Sequence, residues 1–312
     1  MARLLPTTDA AGLDMIVVAD TAGQLGNRLL LFAHLVAVAE ETGTRVVDQS
    51  FTHYRSYFPA LSEGRVPTYP PSTRRPLGRV TCSLLLLVAR AVASAVVRLH
   101  LPPNRLVTVL RIFENERVDL ADPDIRRRLA GSRFVLLQGW LFRDAEALER
   151  HADLVRRIFT PVSAIARVAD HAVKRVRGEG GVVVGVHIRQ GDYRVHLGGR
   201  FYYPTETYVR VMERLRDELN GEVRFLITTD SEQDWDAFSH LPYERAKGSS
   251  VEDLYTLSAC DLIVGPPSSF TLWASFYGRT PLTMITDPEG SLGPDDFVIA
   301  PDIKDPQIAK LY

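Results

Sequence analysis

Short apolar runs, each followed by a turn and then by apolar residues at helical spacing, recur along this chain and confine it to one class of fold. Residues 15–19 read as a buried strand, a glycine-bearing turn follows, an apolar helix spans 27–42 and stops at Gly43, and 45–48 reads as a second strand. A strand–helix–strand start implies a parallel sheet, with the loops that follow its strands gathered at one edge. The second half repeats the alternation. A strand over 182–188 ends in His-Ile-Arg-Gln-Gly-Asp, and Tyr208, Met212, Leu215 and Leu219 mark a helix face closed at Gly221. A strand over 223–228 follows, then a helix to Cys260 opened by Ser249 with Glu252, a strand over 262–264, and a helix over 269–277 stopped by Gly278. Two such sets imply an α/β chain of two Rossmann-like domains facing a cleft.

Composition sets the scale. The chain has 312 residues, 46% hydrophobic and 24% charged, which is ordinary for a folded protein and excludes low-complexity or collagen-like architectures. That length lies just beyond a single core, so two domains of about 150 residues are expected. The pattern assigns 14–165 to the first, with a loop-rich basic insertion over 51–113 and a linker near 161–169. It assigns 166–290 to the second and leaves 291–312 as a tail. A strand over 134–137 and a helix over 146–158 complete the first domain.

The formal net charge of −1 excludes a general nucleic-acid binder. Cys82 and Cys260 are too few for a disulfide framework and lack metal-ligand spacing, so both read as buried thiols in a reducing cytoplasm. The first fourteen residues lack the apolar core of a signal peptide, and no 18-residue uncharged apolar run exists. The nearest approach, 84–101, is interrupted by Arg90, Arg98 and His100. Residues 65–113 hold eight Arg and no Asp or Glu, which suits peripheral contact with the inner face of a membrane or a lipid-linked acceptor. A helix buried within the domain is the competing reading.

Four segments at strand-to-helix junctions are candidates for chemistry. The turn holding Gly23, Gly26 and Asn27 suits phosphate or carboxylate binding at a helix start, or is simply a tight connection. Asp48 falls near the position of a dinucleotide enzyme's ribose carboxylate, but Gly23-x-x-Gly26 is an incomplete version of that fingerprint. Arg189 ends a strand, where its planar guanidinium can grip a pyrophosphate; Asp192 either holds it or accepts a proton. Asp230 suits a ribose, a base edge or a helix cap. Ser268 and Ser269 open a helix after two prolines, as a second phosphate cradle or as plain caps. The triplets Asp234-Trp235-Asp236 and Asp122-Pro123-Asp124 match a common metal-binding pattern by chance spacing, and no metal site is expected.

Residues 187–193 resemble the His-x-Arg-Arg-x-Asp block of the α-1,2- and α-1,6-fucosyltransferases and the protein O-fucosyltransferases. The segment from Gly23 to Gly43 resembles the family's amino-terminal block, in which a Gly-x-x-Gly-Asn turn precedes a helix. The segment from Glu252 to Gly278 resembles its carboxyl-terminal block, where Ser-Ser-Phe opens a helix. Leu136 to Leu148 resembles a Gly-aromatic segment of the bacterial α-1,2 enzymes. The likeness implies a GT-B fold and an inverting, metal-independent transferase that moves fucose from GDP-fucose to a hydroxyl of a glycan, glycolipid or peptide, with no cofactor. It implies that Arg189 binds the β-phosphate and that His187, Asp230, Asp253, Ser268, Ser269 and Phe270 surround the nucleotide. Gly26 and Asn27 then approach the donor from the acceptor-side domain, with Asp192 the best candidate base. Gln190 replaces the second Arg of the pattern, an Arg that the protein O-fucosyltransferases also lack, and its missing charge bears on the exact donor and linkage. An NAD-dependent oxidoreductase and a non-catalytic nucleotide- or glycan-binding module are the rival readings.

Overall fold

The computed structural model describes residues 15–20, 23–62, 66–71, 79–112, 116–178, 180–219, 222–290 and 292–300. Its contacts divide the chain into two units: Met1–Gly23 with Leu31–Phe159, and Gln24–Leu30 with Thr160–Tyr312. The division falls ahead of the boundary expected at 165/166. The expected linker instead begins helix α7.

The first unit runs β1 (Met15–Val18), α1 (Leu25–Thr42, whose first six residues group with the second unit), β2 (Arg45–Asp48), α2 (Pro59–Ser62), β3 (Thr68–Tyr69), α3 (Arg79–Arg98), β4 (Val107–Arg111), β5 (Val118–Asp119), α4 (Pro123–Ala130), β6 (Phe134–Gln138), β7 (Phe142–Arg143), α5 (Ala145–Arg150) and α6 (Ala152–Ile158). Its main sheet has the order β3-β2-β1-β6-β4, parallel except for β3. Helix α1 is apolar on nearly every side and almost wholly buried, and Gly43 ends it at φ +68°, a left-handed conformation that costs glycine nothing. Residues 51–62, expected as the start of a loop-rich insertion, contribute to the core of the first unit. Phe51 and Phe58 are fully buried; Phe51 packs edge-on with Phe32 and Phe159, and Phe58 with Phe159, at centroid separations of 5.5–5.7 Å. Aromatic rings that bury this much area belong to the core whatever the charge around them. The end of the basic segment, 107–111, is likewise a sheet strand.

The second unit runs α7 (Ser163–Arg177), β8 (Val182–Ile188), α8 (Thr205–Glu218), β9 (Val223–Thr229), β10 (Tyr243–Arg245), α9 (Ser250–Ser258), β11 (Leu262–Gly265), α10 (Ser269–Gly278) and β12 (Leu282–Met284). All five strands are parallel, in the order β10-β9-β8-β11-β12. Counted along the unit this is 3-2-1-4-5, so the winding reverses between β8 and β11. Val184, Val186 and Ile188 face Tyr208, Val211, Met212 and Leu215 of α8, while Val183 packs with Val173, Val176 and Cys260 on the other face. A strand covered on both sides has no polar alternation, which is why β8 reads as a continuous apolar run. Each such side chain contributes about 1.5–3 kcal/mol by leaving water. Cys260 is buried as expected, and its burial raises the thiol pKa. The side chain of Cys82 and the helix stop at Gly221 lie outside the described residues.

The expected tail is docked where it is described. Val298 bridges Leu282, and the Ala300 N–H donates to Ser275 Oγ at 3.0 Å; 301–312 lie outside the described residues.

Candidate active site

In an open parallel sheet, ligands bind beyond the carboxyl ends of the strands at the point where the winding reverses. In the second unit that point lies between β8, which ends at Ile188, and β11, which ends at Gly265. The loops leaving these two strands carry Arg189 and Ser268.

Arg189 is 16% exposed and held on three sides. One guanidinium nitrogen lies 3.1 Å from Asp230 Oδ2 and the other 2.8 Å from Asp192 Oδ1. The second also reaches Gln24 Oε1 at 3.4 Å, and the guanidinium lies 5.4 Å from the centre of the Tyr193 ring. Its backbone N–H donates to the Tyr208 hydroxyl at 3.3 Å. Asp230 also receives the backbone N–H groups of Gln190, at 2.8 Å, and Gly191, at 3.2 Å. A side chain at 191 would put its Cβ 2.8 Å from Asp230 Oδ2, so glycine lets the carboxylate close on the loop. Spacing alone offered Asp230 as a ribose ligand or a helix cap; the geometry adds a third role, as the brace of the β8 loop.

Ser268 caps α10, its hydroxyl accepting the Phe270 N–H at 3.1 Å. Ser269 donates its hydroxyl to Asn27 Oδ1. Gly26 lies against the same turn, where a Cβ would come within 2.7 Å of Phe270 N and Ser269 C. Gly26 and Asn27, which sequence alone placed in the other domain, therefore bear directly on the start of α10, and 24–30 group with the second unit. The Tyr193 hydroxyl closes the ring by donating to Pro267 O at 2.6 Å.

His187 is buried, its ring stacked on Phe270 at 4.7 Å and its Nδ1 3.0 Å from Thr228 Oγ1. Burial, reinforced by the Arg189 charge, pulls its pKa down to about 3, so the imidazole is neutral at physiological pH. Its Nε2 is buried with no hydrogen-bond partner among the described residues. Asp253 stands apart from this group. It lines a cavity of about 1020 Å³ bounded by α7, β10 and α9, with Arg175, Arg245, Lys247 and Thr256. Its Oδ1 is buried and without a partner among the described residues, and burial raises its pKa to about 7.

The structure thus brings Gly26, Asn27, His187, Arg189, Asp192, Asp230, Ser268, Ser269 and Phe270 into one connected group. Sequence reasoning missed Gln24, Tyr193, Tyr208 and Thr228, although Gln24 and Tyr193 sit inside the quoted motifs. The acidic triplets serve locally. Asp122 caps α4 by accepting the N–H groups of Asp124 and Ile125, and Asp234 accepts that of Asp236. Among the described residues no group of three His, Cys, Asp or Glu side chains is placed to hold a metal. Asp48 is buried and accepts both the N–H and the hydroxyl of Ser50, at 2.9 and 2.6 Å, rather than standing open for a ribose.

No protein-family profile matches the sequence, and no curated protein matches it by sequence. Solved structures match by shape. A point mutant of Arabidopsis thaliana FUT1 in complex with GDP superposes with a TM-score of 0.58 over 93% of this chain and 74% of its own, at 12% identity. Fucosyltransferase NodZ from Bradyrhizobium superposes at 0.49 over 89% of this chain and 97% of its own, at 17% identity. POFUT1 in complex with GDP-fucose gives 0.45 over 88% and 97%, at 11% identity. At such identities the likeness is one of fold: the chain has the α/β, two-Rossmann-unit architecture of the GT-B fucosyltransferases.

Proposed function

We propose that this chain is an inverting, metal-independent glycosyltransferase that moves fucose from GDP-fucose to a hydroxyl of a glycan or other acceptor. The observation that carries the reading is Arg189, fixed at the switch point of a 3-2-1-4-5 sheet and joined through Gln24, Gly26 and Asn27 to the amino end of α10. A preorganised guanidinium and a helix amino end together favour a diphosphate that gains charge as its sugar leaves. In the reaction the acceptor oxygen bonds to the fucose anomeric carbon from one face. The bond to the β-phosphate oxygen breaks on the other, its electron pair passes to GDP, and the acceptor proton leaves to a base or to solvent. Arg189 stabilises the departing phosphate. Asp253, with a buried oxygen lacking a partner among the described residues beside a cavity, suits the N–H edge of the base.

Against the dinucleotide-enzyme reading, Asp48 is fully buried with its Oδ1 engaged by Ser50. The non-catalytic reading is separated by experiment. Incubating the full chain with GDP-fucose and a panel of glycan, glycolipid and peptide acceptors should release GDP and yield a fucosylated product of inverted configuration. GDP binding with neither transfer nor hydrolysis would leave a binding module. Turnover with another nucleotide sugar and none with GDP-fucose would refute the donor.

A further inference from the structure

Helix α3 packs on its sheet through one narrow stripe. Ala93 is buried against Ala19 and Leu136, with Ala89, Val17, Val107 and Val109 beside them. On the opposite face the described side chains are also apolar and are open to solvent among the described residues. Leu84 is 56% exposed and Leu87 64%, with Val88 and Val92 following at helical spacing; Leu99, Leu101 and Leu106 continue the surface into the next loop. Seven of the eleven exposed large apolar side chains among the described residues lie between 84 and 106. A helix apolar all round is normally buried, and an apolar surface left open in one place marks a contact.

Charge indicates the partner. The stretch 65–113 has eight Arg and no acidic residue in a chain whose net charge is −1, and Arg98 and Arg105 are exposed within the apolar surface. Apolar side chains flanked by cations and free of carboxylates complement a layer that is oily beneath and anionic on top. No helix among the described residues is long and apolar enough to cross a membrane, so the contact is peripheral. We propose that α3 and the loop to Leu106 lie on an anionic lipid surface.

The test is sedimentation of the full chain with phosphatidylcholine vesicles and with mixed phosphatidylglycerol–phosphatidylcholine vesicles. Binding to the mixed vesicles at low salt, weakening as ionic strength rises, is expected. Leu84→Glu with Leu87→Glu should lower the partition coefficient about tenfold or more. Arg98→Glu with Arg105→Glu should lower it about tenfold and flatten the salt dependence. All four positions are exposed, so both pairs should retain the wild-type circular dichroism spectrum. Three outcomes overturn the proposal: no binding to the anionic vesicles, equal binding to phosphatidylcholine alone, or a concentration-dependent dimer without lipid that the Leu pair dissolves. The last would make this face a contact between two copies. Since no turnover is measured, failure here is distinct from failure of the transferase reading.

Discussion

Asp230 holds Arg189 from a different strand end: its Oδ2 lies 3.1 Å from the guanidinium, and its Oδ1 takes the N–H groups of the two residues that follow Arg189. One carboxylate thus fixes both the side chain and the backbone that carries it. Such bracing is what makes a cation effective against charge developing in a transition state, because little reorganisation is left to occur.

Arg189→Ala should therefore lower kcat by about 10²–10³-fold, the usual cost of one preorganised stabiliser. Arg189→Lys should recover little, since an ammonium cannot span Asp230 and a phosphate as a planar fork does. Initial rates of GDP release at saturating donor measure both; near-normal turnover in Arg189→Ala would remove the residue from the mechanism.

Asp192 occupies the outer side of the same guanidinium but is half exposed. Solvent screens the pair on the Asp192 side and weakens it, so an incoming diphosphate can displace this carboxylate. Two carboxylates around one cation also leave the group net negative before the donor arrives. Asp192→Asn should then bind GDP at least as tightly as wild type in calorimetry. Turnover decides the rest: lost turnover with GDP binding intact makes Asp192 the base, while weakened GDP binding makes it a support for Arg189.

Much of this site was legible because strand ends in a parallel sheet are marked by apolar runs that stop abruptly, as at Ile188 and Gly265. The capping box of Ser249 and Glu252 forms as its spacing implied, with reciprocal bonds of 2.6 and 3.4 Å. The strand order was not legible. Its outer members, β10 and β12, are three residues each and too short to show a period. Strand β4 was hidden within the Arg-rich stretch, and Phe51 and Phe58 looked like insertion because their ring partners, Phe32 and Phe159, are distant in sequence. The role of Asp230 was unreadable for another reason: an acid just after a strand looks the same whether it meets a ligand, a helix or an arginine.

Activity should survive chelation. Arg189 and the amino end of α10 already supply positive potential for the pyrophosphate, and both acidic triplets are engaged in local backbone caps. Initial rates with excess EDTA should equal those with added Mn²⁺ or Mg²⁺. Loss with EDTA and recovery with either ion would show that this charge is insufficient.

Nucleotide affinity should rise with pH around neutrality. Burial raises the Asp253 pKa from 3.8 to about 7, so the free protein holds a proton there that the unfolded chain has lost. The stability this group contributes is complete below 3.8 and is lost as pH rises through 7. Accepting N–H donors from a base needs the carboxylate, so GDP binding should release a proton and tighten from pH 6 to 8. His187 works in the opposite sense: with its pKa lowered from 6.5 to about 3, its contribution is complete above 6.5 and is lost as pH falls toward 3. Titrating GDP by calorimetry in buffers of different ionisation enthalpy measures the proton. Asp253→Asn should abolish the pH dependence, and an unchanged profile in that variant would move the base elsewhere.

Gln190 stands where the resembled block has a second Arg, and its surroundings favour an amide over a guanidinium. The side chain is 5% exposed; its Nε2 donates to Tyr203 O at 2.9 Å, and its Oε1 accepts from Ser231 Oγ at 3.0 Å and Gln233 Nε2 at 2.8 Å. An amide can donate and accept at once, whereas a guanidinium only donates. Gln190→Arg would answer Tyr203 but leave the Ser231 and Gln233 donors without this acceptor and bury a charge beside them. Gln190→Leu would keep the volume and lose all three bonds, at about 1–3 kcal/mol for the polar groups left behind. Urea unfolding should therefore rank wild type above Gln190→Leu, with Gln190→Arg no more stable than Gln190→Leu. Both variants should loosen the β8 loop that Asp230 and Gln190 share, lowering kcat more than donor affinity. Wild-type stability in Gln190→Arg would mean that the pocket accepts an arginine and that the glutamine has another cause.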